Sequence, residues 1–194
     1  MIHSSHKLFS DRKEAAMLLA NKLEFYRKEH PLILGIPRGG VEIAYHIAKS
    51  LNTEFSVIIS KKITYPIHPE YGVGAISEEG EVFIPDESEY DPVVLEPVVY
   101  KIKEEIKRRT LLYRKGQPIP DPKNKIVIIV DDGIATGVTL VPAIRACKKL
   151  QAKKVIVADE LSKNNDQNSI KRRSVQKRIT LKGFLILIKY WIES

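Results

Sequence analysis

The stretch "KIVIIVDDGIATGVTL" (Lys125–Leu140) joins five apolar residues, Ile126–Val130, to two adjacent aspartates and a small, hydroxyl-bearing segment. The apolar run reads as a buried strand, and Leu140–Leu150 reads as the helix that follows it. Two neighbouring carboxylates at the end of a buried strand are costly unless something polar or cationic meets them. Gly133 and Gly137 permit close backbone approach, while Thr136 and Thr139 offer hydroxyl donors. Free amides at a helix start favour an anion, so the segment reads as a phosphate cradle. It is neither the G-x-G-x-x-G dinucleotide turn nor the nucleotide P-loop, which ends G-K-[ST].

Outward from this stretch the pattern repeats. Asp11 is placed to cap a first helix, with Glu14 three residues on, and Ala16, Leu19, Leu23 and Tyr26 form its apolar face. Leu32–Ile36 reads as a second buried strand, ended by "PRGG" (Pro37–Gly40). Ile43, Ile47 and Leu51 then mark a helix, and "FSVIIS" (Phe55–Ser60) a β-branched strand. Lys61–Pro85 is a Gly- and Pro-containing excursion, read as a hairpin of "YGVGAIS" and "EVFIP". Leu95, Val98, Ile102, Ile106 and Tyr113 trace a long charged helix, and Val155–Ala158 is a fourth strand. Strands alternating with helices predict an α/β fold: a parallel sheet with helices on both faces. Ligands of such sheets bind beyond the carboxyl ends of the strands, where "PRGG", "KKITYPIHPEYG" and "DDGIATGVT" all fall.

"PRGG" reads as a second anion-binding turn, with the amides of Gly39 and Gly40 and the forked donors of Arg38. Two such turns flanking paired acids suit a ligand with a phosphate, a hydroxylated sugar and a diphosphate.

"VIIVDDGIATGVT" (Val127–Thr139) resembles the phosphoribosyl pyrophosphate motif of the type I phosphoribosyltransferases. The wider run, from "LILGIPRGGVEIAYHIAKSLN" through "HPEYGVGAISEEGEVF" to "ACKKL", is similar to a bacterial and archaeal subgroup of that family. The resemblance covers about Phe9 to Ala158. It implies that Ala135, Thr136, Gly137, Val138 and Thr139 hold the sugar 5′-phosphate, after the turn at Gly133. Asp131 and Asp132 would contact the ribose hydroxyls, and Pro37, Arg38, Gly39 and Gly40 would form the pyrophosphate loop. The 61–85 hairpin would be a flap carrying Lys61 or Lys62 to the diphosphate. The implied reaction displaces pyrophosphate from the anomeric carbon of phosphoribosyl pyrophosphate by a nitrogen nucleophile of a base or amine. Mg²⁺ is the implied cofactor, held mainly by the substrate, and Arg38, Lys61, Lys62, Asp131 and Asp132 are the implied catalytic groups.

Composition frames these expectations. The 194 residues carry 32 Lys+Arg, 24 Asp+Glu and one cysteine, Cys147, which excludes an internal disulfide and suits a reducing cytoplasm. The N-terminus lacks an apolar signal core, and no apolar run reaches the roughly 20 residues of a membrane helix. After Ala158 the pattern changes: seven basic residues and one acidic residue lie between Lys163 and Lys182, followed by "GFLILIKYWI". Residues 1–158 therefore read as the enzyme-like domain and 159–194 as an atypical basic tail, a frameshifted or replaced C-terminus. Asp159 and Glu160 are read as ending the fourth strand. The sheet edge left there would favour self-association, as in a homodimer. The basic run lacks interleaved aromatics, which argues against nucleic acid as the partner. A tail that replaced the acceptor hood would favour a second function, a regulatory protein that binds the donor or a nucleotide without turnover. His68, in the hairpin, is the one histidine singled out.

Overall fold

A computed structural model describes residues 11–87, 90–132, 138–160, 177–181 and 184–189. Helix α1 (Arg12–Leu23) starts at Asp11, whose carboxylate accepts the Glu14 backbone N–H at 2.8 Å. Its buried residues, Ala15, Ala16, Leu19, Ala20 and Leu23, recur at helical spacing and form one stripe. Strand β1 (Leu32–Gly35) leads to α2 (Gly39–Leu51) and β2 (Phe55–Val57). After an antiparallel excursion come α3 (Pro92–Arg114), β6 (Ile126–Asp131), α4 (Leu140–Lys149) and β7 (Lys154–Glu160). The excursion consists of β3 (Ser60–Tyr65), β4 (His68–Ser77) and β5 (Val82–Phe83). Two further strands, β8 (Lys177–Leu181) and β9 (Phe184–Lys189), close the order.

The main sheet runs β2-β1-β6-β7-β9-β8, with β2, β1, β6 and β7 mutually parallel and β9 antiparallel to both neighbours. Alternating residues of β1, β6 and β7 face opposite sides. Ile33, Ile128, Val130 and Ile156 pack under α1 and α2, whereas Leu34, Val127, Ile129 and Val157 pack under α4. Leu19 and Leu23 are fully buried, so truncating either to Ala should cost about 2–5 kcal/mol. Cys147 is buried on the α4 side, where burial and then the charge of Glu78 push its thiol up to about 12. It is a core residue.

Four details depart from the sequence expectation. "FSVIIS" is not one strand: Phe55–Val57 belongs to the parallel sheet, and Ser60 already opens the antiparallel one. The principal hairpin is β3–β4, with register shifts between Ile63 and Tyr65, and "EVFIP" adds only the two-residue pairing of β5. The long helix α3 covers this second sheet through Leu95, Ile102 and Ile106, while Tyr113 is exposed. Finally, Asp159 and Glu160 do not end the fourth strand. They continue β7 and pair with Leu185 and Phe184 of β9, because backbone pairing makes no demand for apolar side chains. The edge of β7 is thus covered by a strand of this same chain.

Candidate active site

Chain order turns one way from β1 to β2 and the other way from β1 to β6. The carboxyl ends of β1 and β6 therefore flank the point where strand order reverses, the place where open α/β sheets bind ligands. The turn after β1 is Ile36–Arg38, with a cis peptide between Pro37 and Arg38, and Gly39 and Gly40 open α2. The end of β6 is Asp131, followed by Asp132. Ile36 N–H donates to Val130 C=O at 2.9 Å, which locks the two strand ends together.

The glycines are required here by contact. A Cβ on Gly39 would lie 1.6 Å from Asp132 Oδ2, and one on Gly40 would lie 2.5 Å from the Val130 carbonyl oxygen. The first turn of α2 thus presses its bare backbone against the acid pair. Both glycines are buried, whereas Arg38 and Asp132 are exposed.

Asp131 is only 9% exposed. Burial, reinforced by the charge of Asp132, raises its carboxyl to about 6, although the Asp132 backbone N–H donates to its Oδ1 at 2.9 Å. Among the described residues no cation pairs with Asp131. Asp132 has a partner absent from the sequence expectation: Arg12 of α1, whose Nη2 lies 3.5 Å from Asp132 Oδ2. Arg12 Nη1 lies 3.5 Å from Glu42 Oε2, in the first turn of α2. Nothing local in the sequence signalled this, since Arg12 stands 120 positions from Asp132. Only the packing of α1 beside α2 brings the two together.

The other expected residues are placed less centrally. Val138 and Thr139 precede α4 and are half-buried, with Thr139 at its N-cap. Gly133, Ala135, Thr136 and Gly137 lie outside the described residues. Lys61 and Lys62 sit on β3, and among the described residues neither makes an ion pair with the aspartates. Lys61 faces α3: burial and then Arg109 lower its pKa, against the opposing charge of Glu105. Glu105 itself is held at about 2 by hydrogen bonds from Arg108 and Arg109. The Lys62 stem lies along Gly72, where a Cβ would come within 2.4 Å of Lys62 Cδ. His68 is exposed and pairs across the hairpin with Tyr65.

The base of this flap sheet carries a buried ion pair that sequence reasoning did not anticipate. Glu78 and Arg114 are 5% and 7% exposed. Arg114 donates to both Glu78 carboxylate oxygens and to Val57 C=O, and Ile59 N–H donates to Glu78 Oε1 at 2.7 Å. On the other side Arg145 of α4 donates to Val82 C=O at 3.2 Å and stands over the Phe83 ring. The antiparallel sheet is thereby held to the core at its root, while its β3–β4 turn, around Pro66 and Ile67, is exposed.

Sequence comparison shows the family. Residues 6–186 match the phosphoribosyl transferase domain family. The chain belongs to that family. The family match runs past Ala158 into β9, the strand that pairs with β7. A provisionally named phosphoribosyl transferase of Mycobacterium tuberculosis is 36% identical over 156 residues, 78% of this chain and 35% of the relative. The chain thus spans about a third of that relative's length. A crystal structure of a Thermus thermophilus protein superposes with a TM-score of 0.65 at 33% identity, covering 78% of this chain and 74% of that one. A purine phosphoribosyltransferase from Pyrococcus horikoshii aligns at 25% identity and a TM-score of 0.45, over 76% of this chain and 70% of its own. The α/β architecture is that of the type I phosphoribosyltransferases. Among the described residues no helix is long and apolar enough to cross a membrane.

Proposed function

We propose that this family member transfers the phosphoribosyl group of phosphoribosyl pyrophosphate to a nitrogen acceptor, a base or an amine, and releases pyrophosphate. The observation that carries this reading is the contact of the acid pair with the Gly39–Gly40 turn at the switch point of the sheet. Hydroxyl acceptors and anion-binding amides are side by side there, as a sugar bearing a diphosphate requires. The amides of Gly39 and Gly40 and the guanidinium of Arg38 bind the diphosphate. Asp131 and Asp132 accept from ribose hydroxyls and face the anomeric carbon as it gains positive charge, in a transition state like that of glycoside cleavage. Val138 and Thr139, with the segment before them, receive the 5′-phosphate. Flap closure excludes the water that would otherwise hydrolyse the donor.

Mg²⁺ fits this site as an ion carried by the ligand. Among the described residues no three His, Cys, Asp or Glu side chains cluster to cage a metal, and the two adjacent carboxylates suit an ion held mainly by donor oxygens. When bound, Mg²⁺ would neutralise the leaving diphosphate.

Calorimetric titration with phosphoribosyl pyrophosphate tests the donor site, and binding should strengthen markedly with Mg²⁺. A screen with purine, pyrimidine and nicotinate-type acceptors should then release pyrophosphate with at least one. Absence of donor binding overturns the reading. Donor binding without pyrophosphate release for any acceptor replaces it with a regulatory, ligand-sensing function.

A further inference from the structure

Arg12 occupies an unusual position for a helix-initiating residue. The buried stripe of α1 fixes the helix on the sheet face beside α2, which sets its first turn over the carboxyl end of β6. The guanidinium is then divided between two carboxylates, Glu42 and Asp132, at 3.5 Å each. Both contacts are long and the side chain is 51% exposed, so water screens each of them. Such a cation is held weakly and moves at little cost.

Its location is nevertheless specific. The Asp132 oxygen that faces Arg12 is the same Oδ2 that fills the Cβ position of Gly39. Arg12 therefore stands at the mouth of the Gly39–Gly40 turn. Its planar fork matches the paired oxygens of a phosphate better than it matches two separate carboxylates.

Resting on the donor-site reading above, we propose that Arg12 is a further diphosphate-binding residue. On donor binding it exchanges Glu42 and Asp132 for the diphosphate oxygens. The exchange adds a second cation, beside Arg38, to the departing group, and it frees Asp132 to accept from the ribose. Glu42 is the competing anion that holds Arg12 back while the site is empty.

Calorimetry with two fragments of the donor tests this. Arg12→Ala should weaken Mg²⁺-pyrophosphate binding about 10–100-fold and leave ribose 5-phosphate binding within about 2-fold. Arg12→Lys, which keeps the charge and loses the fork, should fall between. Glu42→Gln should act in the opposite direction, tightening pyrophosphate about 2–5-fold, and that gain should vanish in the Arg12→Ala background. A merely structural Arg12 would weaken both fragments equally or neither, and a Glu42→Gln gain that survives without Arg12 would equally overturn the proposal. Wild-type protein that binds ribose 5-phosphate but no pyrophosphate would overturn it while sparing the 5′-phosphate subsite. Binding of neither fragment would remove the donor-site reading itself.

Discussion

Glu78 and Asp131 are both buried carboxylates, at 5% and 9% exposure, and they are solved in opposite ways. Glu78 receives both terminal nitrogens of Arg114 and the Ile59 N–H, so its charge is spent on joining α3, the strand exit after Val57 and the flap sheet. Among the described residues Asp131 receives one backbone N–H, from Asp132, and the charge that acts on it, that of Asp132, is of the same sign. A buried charge with a complete set of partners has nothing left to offer a ligand. One at a strand switch point with no cation among the described residues does. The contrast separates a residue that holds the scaffold from one that the scaffold holds for use.

The largest expected effect is on the scaffold side. Removing one member of a buried ion pair strands the other without solvent, which costs about 3–5 kcal/mol, whereas exchanging both for apolar groups is often near neutral. Glu78→Ala or Arg114→Ala should each lower unfolding free energy in urea by that amount. The pair Glu78→Leu with Arg114→Met should recover most of it. Single variants that lose less than about 1 kcal/mol would place Glu78 in the same class as Asp131.

On the site side the sign reverses. A carboxyl raised from the usual 3.8 to about 6 binds its proton more tightly when folded, so the folded state is favoured most below pH 4. That contribution is lost as pH rises through 6. Asp131→Asn removes the titrating charge but keeps an acceptor for the Asp132 N–H. At pH 7 the variant should be more stable than wild type by up to about 3 kcal/mol, with the gap closing by about pH 4. Urea midpoints at pH 4, 5, 6 and 7 measure it. A variant less stable at pH 7 would mean that Asp131 is compensated as fully as Glu78.

How much of this could be read beforehand follows from the distance between partners. The strand ends, read at Ile36 and Val130 and found one residue away at Gly35 and Asp131, and the Asp11 cap were legible because each is local chemistry: an apolar run, a Gly- or Asp-bearing junction, a helix start. Their convergence followed from the rule that parallel strands present their carboxyl ends together. The Glu78–Arg114 and Arg12–Asp132 pairs were not legible. They join residues 36 and 120 positions apart, and charged residues make up 29% of the chain, so nothing in the pattern selects those partners. The tail misled for a related reason. Asp159 and Glu160 ended the apolar pattern, yet the ladder with β9 is built from backbone groups that the pattern does not report.

The two glycines of the turn give an intermediate effect. A Cβ on Gly40 would meet backbone, 2.5 Å from Val130 O and 2.9 Å from Asp131 Cα, so α2 and β6 must separate. Gly40→Ala should cost about 1–3 kcal/mol, as overpacking does. On Gly39 the Cβ meets the Asp132 carboxylate, which can rotate away, and Asp132 Cβ at 2.8 Å, which cannot. Gly39→Ala should therefore lower thermal stability less than Gly40→Ala while weakening ribose 5-phosphate, because Asp132 is displaced. Equal thermal losses for both would show that the carboxylate is as fixed as the backbone.

The smallest effect lies at the second root of the flap sheet, where Lys149 of α4 meets Glu81 at 3.1 Å. The pairing resembles Glu78–Arg114 in joining a helix to the antiparallel sheet, but the lysine is 59% exposed and its partner 27%. Water already solvates both charges, so neither is stranded when the other is removed. A double-mutant cycle over Glu81→Ala and Lys149→Ala should return about 0–1 kcal/mol and fade in about 1 M salt, since exposed pairs are screened within a few ångströms there. The cost of Glu78→Ala should persist at the same salt, because ions do not reach a pair enclosed by Val57, Ile59 and α3. If both couplings fell together with salt, the root at Glu78 would be wet, and the sheet would be held to the core by its apolar contacts with α3 alone.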